Sequence, residues 1–277
     1  MSQDNLSVML TLARGAAELI RGIYETDFKV DYKGPKDPVT EADRKANRLI
    51  CDGLREAFPD AAIVAEESKP ESYTQFRKAE RVFFVDPLDG TKEFIKKNGE
   101  FVVMLGMIEG DLARHGVILA PATGYAWLGE VGVGAWEVSP DDVRSPILVS
   151  PQTDRERARV VASRSHRTQE SERALAILGV DRIDALGSAG LKGAEVASGR
   201  AEAYVSPGTA GKRWDACAVD ALVRAAGGMV SDAYGVNIDY RGESLTNDRG
   251  IVATNGHLHA TLIERLAVAK AARERGG

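Results

Sequence analysis

A buried strand that ends on two closely spaced carboxylates is the feature of this sequence that most limits its fold. Residues 82–85 (Val-Phe-Phe-Val) form an apolar run typical of a buried strand, and Asp86 and Asp89 follow it. Pro87 is expected to end the hydrogen-bond ladder of the strand, and Gly90 allows a tight turn. The carboxylates are therefore predicted at a strand-to-helix corner, where they could hold a hard cation beside a phosphate. A surface turn is the alternative for these residues taken alone.

The composition is that of an ordinary globular protein. The 277 residues include 44% hydrophobic and 28% charged residues, with a net charge of −5. This acidic balance argues against a broad surface for a nucleic-acid polymer but allows a small phosphorylated ligand. Cys51 and Cys217 are too few for a disulfide framework and too far apart for a zinc knuckle, so two reduced thiols in a cytoplasmic protein are expected. No apolar run approaches the roughly 18 residues of a membrane span, and the N-terminal pattern predicts a helix rather than a signal peptide.

Helical and strand-like patterns divide the chain into two halves. Apolar spacing predicts helices over 6–24 and about 40–58, with a polar loop over 31–38. An antiparallel meander of strands is predicted next, at 63–65, 82–85, 101–108, 116–120, 125–128, 135–138 and 147–149. Strands and helices then alternate, which predicts a sheet covered by helices. We expect one half over residues 1–145, with most of the acidic signals, and a second over 146–277.

Acidic residues occur at three further element boundaries. Glu66 and Glu67 follow a short strand, and Asp215 begins an alanine-rich helix. Asp43 lies three residues after Thr40. Each has an alternative interpretation. Asp43 could form a capping box, and Asp215 could be an acidic residue at a helix N-terminus, where the helix dipole favours a negative charge. The two glutamates could be an exposed pair. All of these sites lie where an element begins or ends, which is where ligands tend to be held.

Four segments, in order, resemble motifs of the lithium-sensitive, Mg²⁺-dependent phosphomonoesterases of the inositol monophosphatase superfamily. They are Pro38-Val-Thr-Glu-Ala-Asp43, Glu66-Glu67-Ser68, Asp86-Pro-Leu-Asp-Gly-Thr91, and Trp214-Asp215 with Gly227-Gly228 downstream. The match covers roughly residues 35–230, and it departs at Ala65, where many relatives have Gly or Ser. The resemblance implies an α/β (α+β) fold, a layered αβαβα sandwich with mixed and antiparallel sheets and a metal cluster between them. It also implies inhibition by lithium.

The resemblance further implies a role for each matching residue. Two to three Mg²⁺ ions would be held by Glu66, Asp86, the Leu88 carbonyl, Asp89 and Asp215. Thr91 and Asp43 would orient and deprotonate the attacking water, and Glu66 would share in catalysis. The amides of Gly90 and Thr91 would bind the phosphate, and Asp215 would also contact the substrate. Metal ions are needed because a phosphate monoester dianion repels a hydroxide nucleophile.

Three other segments resemble the 3′(2′),5′-bisphosphate nucleotidase subfamily more than the inositol monophosphatases. They are residues 89–101, Ser163-Arg-Ser-His166 and Gly187-Ser-Ala-Gly-Leu-Lys192. The resemblance implies conversion of adenosine 3′,5′-bisphosphate to AMP, and possible action on 3′-phosphoadenylyl sulfate. An inositol or other sugar phosphate is the alternative substrate. The alternative from another functional class is a non-catalytic regulator of the same fold that binds a metal or a nucleotide.

Substrate contacts follow from the same resemblance. Ser163 and His166 are expected near the ribose or base, and Ser188 and Lys192 near the 5′-phosphate, where a lysine supplies a point charge. His166 could instead cap a helix, and Lys192 could be solvated. Lys212 and Arg213 either approach a phosphate or face solvent. We expect a small nucleotide as the partner, no nucleic-acid polymer, and a monomer or homodimer.

Overall fold

The structure is a computed structural model that describes residues 4–35, 37–73, 75–165 and 167–276. Over these residues it contains seven α-helices and fourteen strands. The helices are α1 Asn5–Tyr24, α2 Glu41–Ala57, α3 Thr91–Ile95, α4 Gln169–Ile177, α5 Ala189–Ala197, α6 Arg213–Ala225 and α7 His259–Gly276. The strands are β1 Val30–Gly34, β2 Asp37–Thr40, β3 Ala62–Ala65, β4 Arg81–Asp89, β5 Val102–Glu109, β6 Leu112–Leu119, β7 Ala126–Glu130, β8 Gly134–Val138, β9 Arg144–Pro146, β10 Arg159–Ser163, β11 Arg182–Leu186, β12 Ala203–Ser206, β13 Met229–Ser231 and β14 Ile251–Thr254.

Helices and sheets alternate in five layers. Strands β3 to β9 lie side by side in chain order, with β3 parallel to β4 and the others antiparallel. The second sheet has the order β11-β10-β12-β14-β13. Helices α1 and α2 cover the outer face of the first sheet, α5 and α6 lie between the sheets, and α4 and α7 cover the second. The predicted αβαβα sandwich is therefore confirmed.

The outer helices are held by regularly spaced apolar side chains. In α2 the fully buried Ala46, Ile50 and Leu54 lie on one face, and in α1 Ile20 is equally buried. Burying each of the larger side chains contributes about 1.5–3 kcal/mol. Both helices match their predicted ranges to within one residue or so. None of the helices in the described part of the chain has the length and apolar composition needed to cross a membrane.

A row of glycines brings α6 into direct contact with the first sheet. Gly106, Gly116 and Gly129 are register partners on β5, β6 and β7. A Cβ at Gly106 would lie 2.6 Å from the nitrogen of Ala218, and one at Gly129 would lie 2.5 Å from Cα of Leu222. A Cβ at Gly116 would collide with the Ala218 carbonyl oxygen. The backbone of α6 therefore lies directly on the backbone of the sheet. This contact fixes the position of the first turn of α6 relative to the strands.

Several predicted boundaries differ from the structure. The segment expected as a polar loop over 31–38 is an antiparallel hairpin of β1 and β2, whose two strands pair from Val30 with Thr40 onwards. The expectation that Pro87 ends its strand is wrong, because β4 continues to Asp89 through an irregular register that leaves the proline outside the ladder. Strand β9 also lies before the predicted range 147–149. The predicted division at residue 145 stays a prediction. Helix α6, which follows residue 145 in sequence, packs on the first sheet.

Candidate active site

Three carboxylates meet at the C-terminal end of β4. Asp86 and Asp89 come from β4, and Asp215 comes from the first turn of α6. Each offers one oxygen atom, and these oxygens lie within 4.8 Å of one another. Burial, followed by repulsion from neighbouring carboxylates, raises the pKa of both Asp86 and Asp215 well above the usual range. An all-oxygen cluster of this kind suits a hard divalent cation such as Mg²⁺, whose charge would offset the repulsion.

Glu66 lies beside this cluster and is paired with a lysine. Its backbone nitrogen donates to the Val85 carbonyl (3.0 Å), which holds the end of β3 against β4. The Lys33 ammonium lies 2.7 Å from Glu66 and 2.6 Å from Glu67. Burial raises the pKa of Glu66 and also that of Glu67, to about 7, while Lys33 opposes both shifts. The alternative of an exposed glutamate pair is wrong, since the Glu67 side chain is only 7% exposed.

Sequence reasoning missed Lys33. It lies on β1, in the hairpin that was expected to be a loop. The sequence signal was weak, because one lysine in a polar segment carries no sign of a partner more than thirty positions away. The pair needs the hairpin to fold back against the end of β3.

The carboxylate of Asp43 has two separate partners. One oxygen, Oδ2, accepts from the backbone nitrogen of Thr40 (2.7 Å) and from its hydroxyl (2.6 Å). The other, Oδ1, accepts from the hydroxyl of Thr91 at 3.0 Å. The predicted capping box is thus confirmed, and it leaves an oxygen directed at the site. Burial raises the pKa of Asp43, which the hydrogen bonds from Thr40 and Thr91 oppose.

A tight turn at Gly90 joins β4 to α3. Gly90 has φ +98°, and a Cβ there would lie 2.8 Å from the carbonyl oxygen of Glu100, so this turn requires glycine. Helix α3 begins at Thr91, and the first amides of a helix have no partner within it. Gly90 and Thr91 both line the cleft beside the three carboxylates.

The opposite wall of the cleft comes from the second half of the chain. Ser163, Ser188 and Lys192 line it, while His166 lies outside the described residues. The Ser188 hydroxyl donates to Oδ2 of Asp89 at 2.6 Å. Lys192 is 3% exposed, and its ammonium donates to the carbonyl of Leu186 at 3.3 Å and to that of Ser188. The alternative of a solvated Lys192 is therefore wrong, and burial lowers its pKa to about 8.

Two contacts tie the Ser-Arg-Ser-His segment to the first half. The Arg164 guanidinium donates to both oxygens of Glu100, at 2.9 and 2.6 Å. The Ser165 hydroxyl donates to Glu93, which is buried on α3. These contacts hold Arg164 and Ser165 against Glu100 and α3, so the first half of the chain fixes the position of these two residues.

The cleft has a volume of about 330 Å³ and is lined by residues of both halves. The structure separates the two basic residues that the sequence left undecided. Lys212 lines the cleft, with its ammonium 5.7 Å from the centre of the Trp214 ring. Arg213 donates to the Asn247 side chain instead and does not line the cleft.

Comparison with known proteins agrees with this geometry. A model of the inositol monophosphatase family matches residues 2–270, so the chain belongs to that family. The 3′(2′),5′-bisphosphate nucleotidase CysQ of Salmonella typhimurium is 37% identical over 245 residues, which are 85% of this chain and 93% of the relative.

Two solved structures are similar over nearly their whole length. CysQ of Bacteroides thetaiotaomicron has a TM-score of 0.78 and 31% identity, covering 92% of this chain and 98% of that one. The IMPase of Thermotoga maritima has a TM-score of 0.82 and 28% identity, covering 97% and 99%. The protein is accordingly a phosphatase of this family.

Proposed function

We propose that the protein is a Mg²⁺-dependent phosphatase that removes the 3′-phosphate of adenosine 3′,5′-bisphosphate to give AMP. The observation that carries the proposal is the cluster of Asp86, Asp89 and Asp215 beside the Thr91–Asp43 pair. Similarity to nucleotidases named CysQ supports a bisphosphate nucleotide as the substrate. Action on 3′-phosphoadenylyl sulfate belongs to the same proposal.

The proposed ligands are Glu66, Asp86, the Leu88 carbonyl, Asp89 and Asp215. When bound, Mg²⁺ would neutralise phosphate charge and make a bound water more acidic. The donor set fits this ion, because every proposed ligand atom is an oxygen. The Lys33 ammonium contacts Oε1 of Glu66, so Oε2 lies outside this ion pair and is the oxygen proposed to face the cation.

Asp43 and Thr91 are proposed to act on the attacking water. The Thr91 hydroxyl lies 3.0 Å from Oδ1 of Asp43 and 3.2 Å from the Leu88 carbonyl oxygen. When its one proton is donated to Asp43, its oxygen can accept a hydrogen bond from a water in the cleft. Proton transfer through the hydroxyl to the carboxylate would generate the nucleophile. Burial favours this direction, because it raises the pKa of Asp43 and makes the carboxylate a better base. The Gly90 and Thr91 amides would hold the phosphate oxygens.

The rest of the nucleotide is proposed to lie along the wall formed by the second half. Ser163 and His166 are proposed contacts of the ribose or base, and Asp215 of the leaving oxygen. Lys192 is the proposed charge for the 5′-phosphate. The lysine lines the cleft, and its ammonium donates to the carbonyls of Leu186 and Ser188 and lies 5.1 Å from the centre of the Tyr204 ring.

Phosphate release measured with Mg²⁺ tests the proposal. Adenosine 3′,5′-bisphosphate and inositol 1-phosphate are compared at the same low concentration, with EDTA as the control. We expect the nucleotide to be hydrolysed at least about tenfold faster, because a second phosphate adds a charged contact. A preference for inositol 1-phosphate would be consistent with the proposed metal site but would contradict the proposed nucleotide substrate. Nucleotide binding without release would support a non-catalytic regulator.

An inositol or other sugar phosphate is the second candidate substrate. The similarity to the Thermotoga maritima IMPase favours it. The chemistry at the carboxylate cluster would be unchanged, and only the contacts along the second wall would differ. Lithium inhibition, a cytoplasmic location and a monomeric or homodimeric state remain predictions.

A further inference from the structure

Ser188 has a backbone conformation that non-glycine residues rarely adopt. Its φ is +56° and its ψ is +133°, and it is 5% exposed. A side chain in such a region costs stability and persists only where the surroundings hold it there. Backbone strain of this kind is typical of functional sites, so this conformation of Ser188 is expected to make a particular contact possible.

Hydrogen bonds hold residues 186–190, which run from the last residue of β11 through a short loop into the first turn of α5. The Lys192 ammonium holds the carbonyls of Leu186 and Ser188. The Glu100 carboxylate accepts from the nitrogen of Gly187 at 2.6 Å while it pairs with Arg164. Side chains from α5 and from the segment before β5 thus fix the loop from two sides.

The held conformation directs two donors at one oxygen of Asp89. The Ser188 hydroxyl donates to Oδ2 at 2.6 Å, and the Gly190 nitrogen donates to the same oxygen at 2.9 Å. The Ser188 oxygen also accepts from the nitrogen of Leu191 at 3.1 Å, which orients the hydroxyl. A hydroxyl has one proton, so while Ser188 donates to Asp89 it donates to nothing else.

We propose that Ser188 is a positioning residue that sets the orientation of Asp89 for the cation. With Oδ2 held by two donors, Oδ1 is left for the metal and the carboxylate does not rotate. The strained backbone is the cost of bringing the hydroxyl there. This role replaces the direct 5′-phosphate contact expected from the sequence, and it rests on the proposed function, since it assumes that the cluster binds Mg²⁺.

The test separates metal affinity from stability with two substitutions of one residue. Ser188→Ala and Ser188→Gly both remove the hydroxyl, but only glycine relieves the strain. Mg²⁺ affinity is measured calorimetrically on the metal-free protein, and Tm is measured in EDTA. Asp142→Gly is the matched control, because Asp142 also has a positive φ (+63°) and lies in the turn between β8 and β9.

We expect both Ser188 variants to bind Mg²⁺ about tenfold or more weakly, as is usual when a partner of a metal ligand is lost. The glycine variant should nevertheless have a Tm at least about 2 °C above that of the alanine variant. Asp142→Gly should bind Mg²⁺ as the wild type does. This combination would support a positioning role, because a purely structural residue would make affinity follow stability.

Other outcomes overturn the inference. If both Ser188 variants bind Mg²⁺ like the wild type, the hydroxyl does not position Asp89. If only the alanine variant binds Mg²⁺ weakly, the backbone conformation of residue 188 affects Mg²⁺ affinity and the hydroxyl does not. If the wild type itself binds no Mg²⁺, the proposed function fails, and this inference fails with it. The wild-type titration therefore distinguishes the two failures.

Discussion

The hydroxyl of Thr91 donates to the buried carboxylate of Asp43, joining the first residue of α3 to the first turn of α2 across 48 positions of sequence. The other oxygen of Asp43 is held by Thr40, so the acid cannot turn away. Asp43 therefore caps one helix while it presents a carboxylate oxygen at the start of another. The Asp43 side chain thus contributes both to the stability of α2 and to the geometry of the site. Conservative substitutions of its partners are needed to separate these two contributions.

Replacing Thr91 by valine removes the hydroxyl while keeping the shape of the side chain. We expect kcat to fall at least about 100-fold, because the proton path to Asp43 is lost, with little change in KM. Tm should stay close to that of the wild type. Steady-state kinetics and thermal unfolding measure both effects. Thr91→Ser keeps the hydroxyl and should retain most of the activity, and an active valine variant would contradict the proposed role.

Asp86→Asn removes one charge from the carboxylate cluster without removing volume. Because burial and neighbouring carboxylates already disfavour the charged form, thermal stability in EDTA should be no lower than that of the wild type. The rise of Tm on adding Mg²⁺ should disappear, and turnover should fall at least about 100-fold. Thermal unfolding with and without Mg²⁺ checks this. A variant that is unstable yet keeps normal Mg²⁺ binding would refute it.

Lys192→Met keeps the apolar stem of the side chain and removes the ammonium. Activity on both candidate substrates should fall, because the carbonyls of Leu186 and Ser188 lose their donor. The loss of kcat/KM should be at least about tenfold greater for the bisphosphate, which also loses a charged contact. Parallel kinetics on the bisphosphate and on inositol 1-phosphate measure the difference. Equal losses would show that Lys192 does not contact the 5′-phosphate.

We predict that His259 makes the free energy of unfolding depend on pH. Its ring nitrogens lie 3.0 Å from the hydroxyls of Ser231 and Thr254. Burial, helped by Arg224, lowers the pKa of His259 below that of the unfolded chain. The unfolded chain then binds a proton more readily, so the free energy of unfolding should fall as the pH drops through about 6.5, by up to about 1.4 kcal/mol per unit.

Denaturant unfolding of the wild type and His259→Gln between pH 5 and 8 measures this contribution. The variant cannot be protonated there, so its stability should fall less steeply towards pH 5. A shared buffer series keeps all other titrating groups the same in both proteins. Parallel curves would mean that His259 does not titrate differently in the folded and unfolded chain.

Local features of the site were predictable from the sequence. The capping box at Thr40 and Asp43 spans four residues, and the carboxylates of β4 follow a clear apolar run. The family motifs added Asp215, whose own sequence context indicates only a helix start. The positions of these side chains agree with the sequence because neighbours in sequence or a shared motif carry the information, while their roles stay predictions.

Contacts between distant segments were not predictable. The bond from Ser188 to Asp89 joins residues 99 positions apart, and the Lys33–Glu66 pair depends on a hairpin that its polar sequence hides. The positions of Gly106 and Gly116 give no signal until the strand register is known. Such contacts arise from the packing of whole elements, which no local pattern encodes.

The glycine row has a consequence for how the carboxylate cluster keeps its shape. Asp86 and Asp89 belong to the first sheet, whereas Asp215 belongs to the helix that lies on it. Where Gly106, Gly116 and Gly129 touch α6, the spacing is set by backbone atoms, which have no rotamers to exchange. Fluctuations of side chains in the core are thus poorly able to change the distance between the carboxylates of β4 and that of α6. The separation of Asp89 and Asp215 is therefore set mainly by backbone packing, although these residues lie more than one hundred positions apart in sequence.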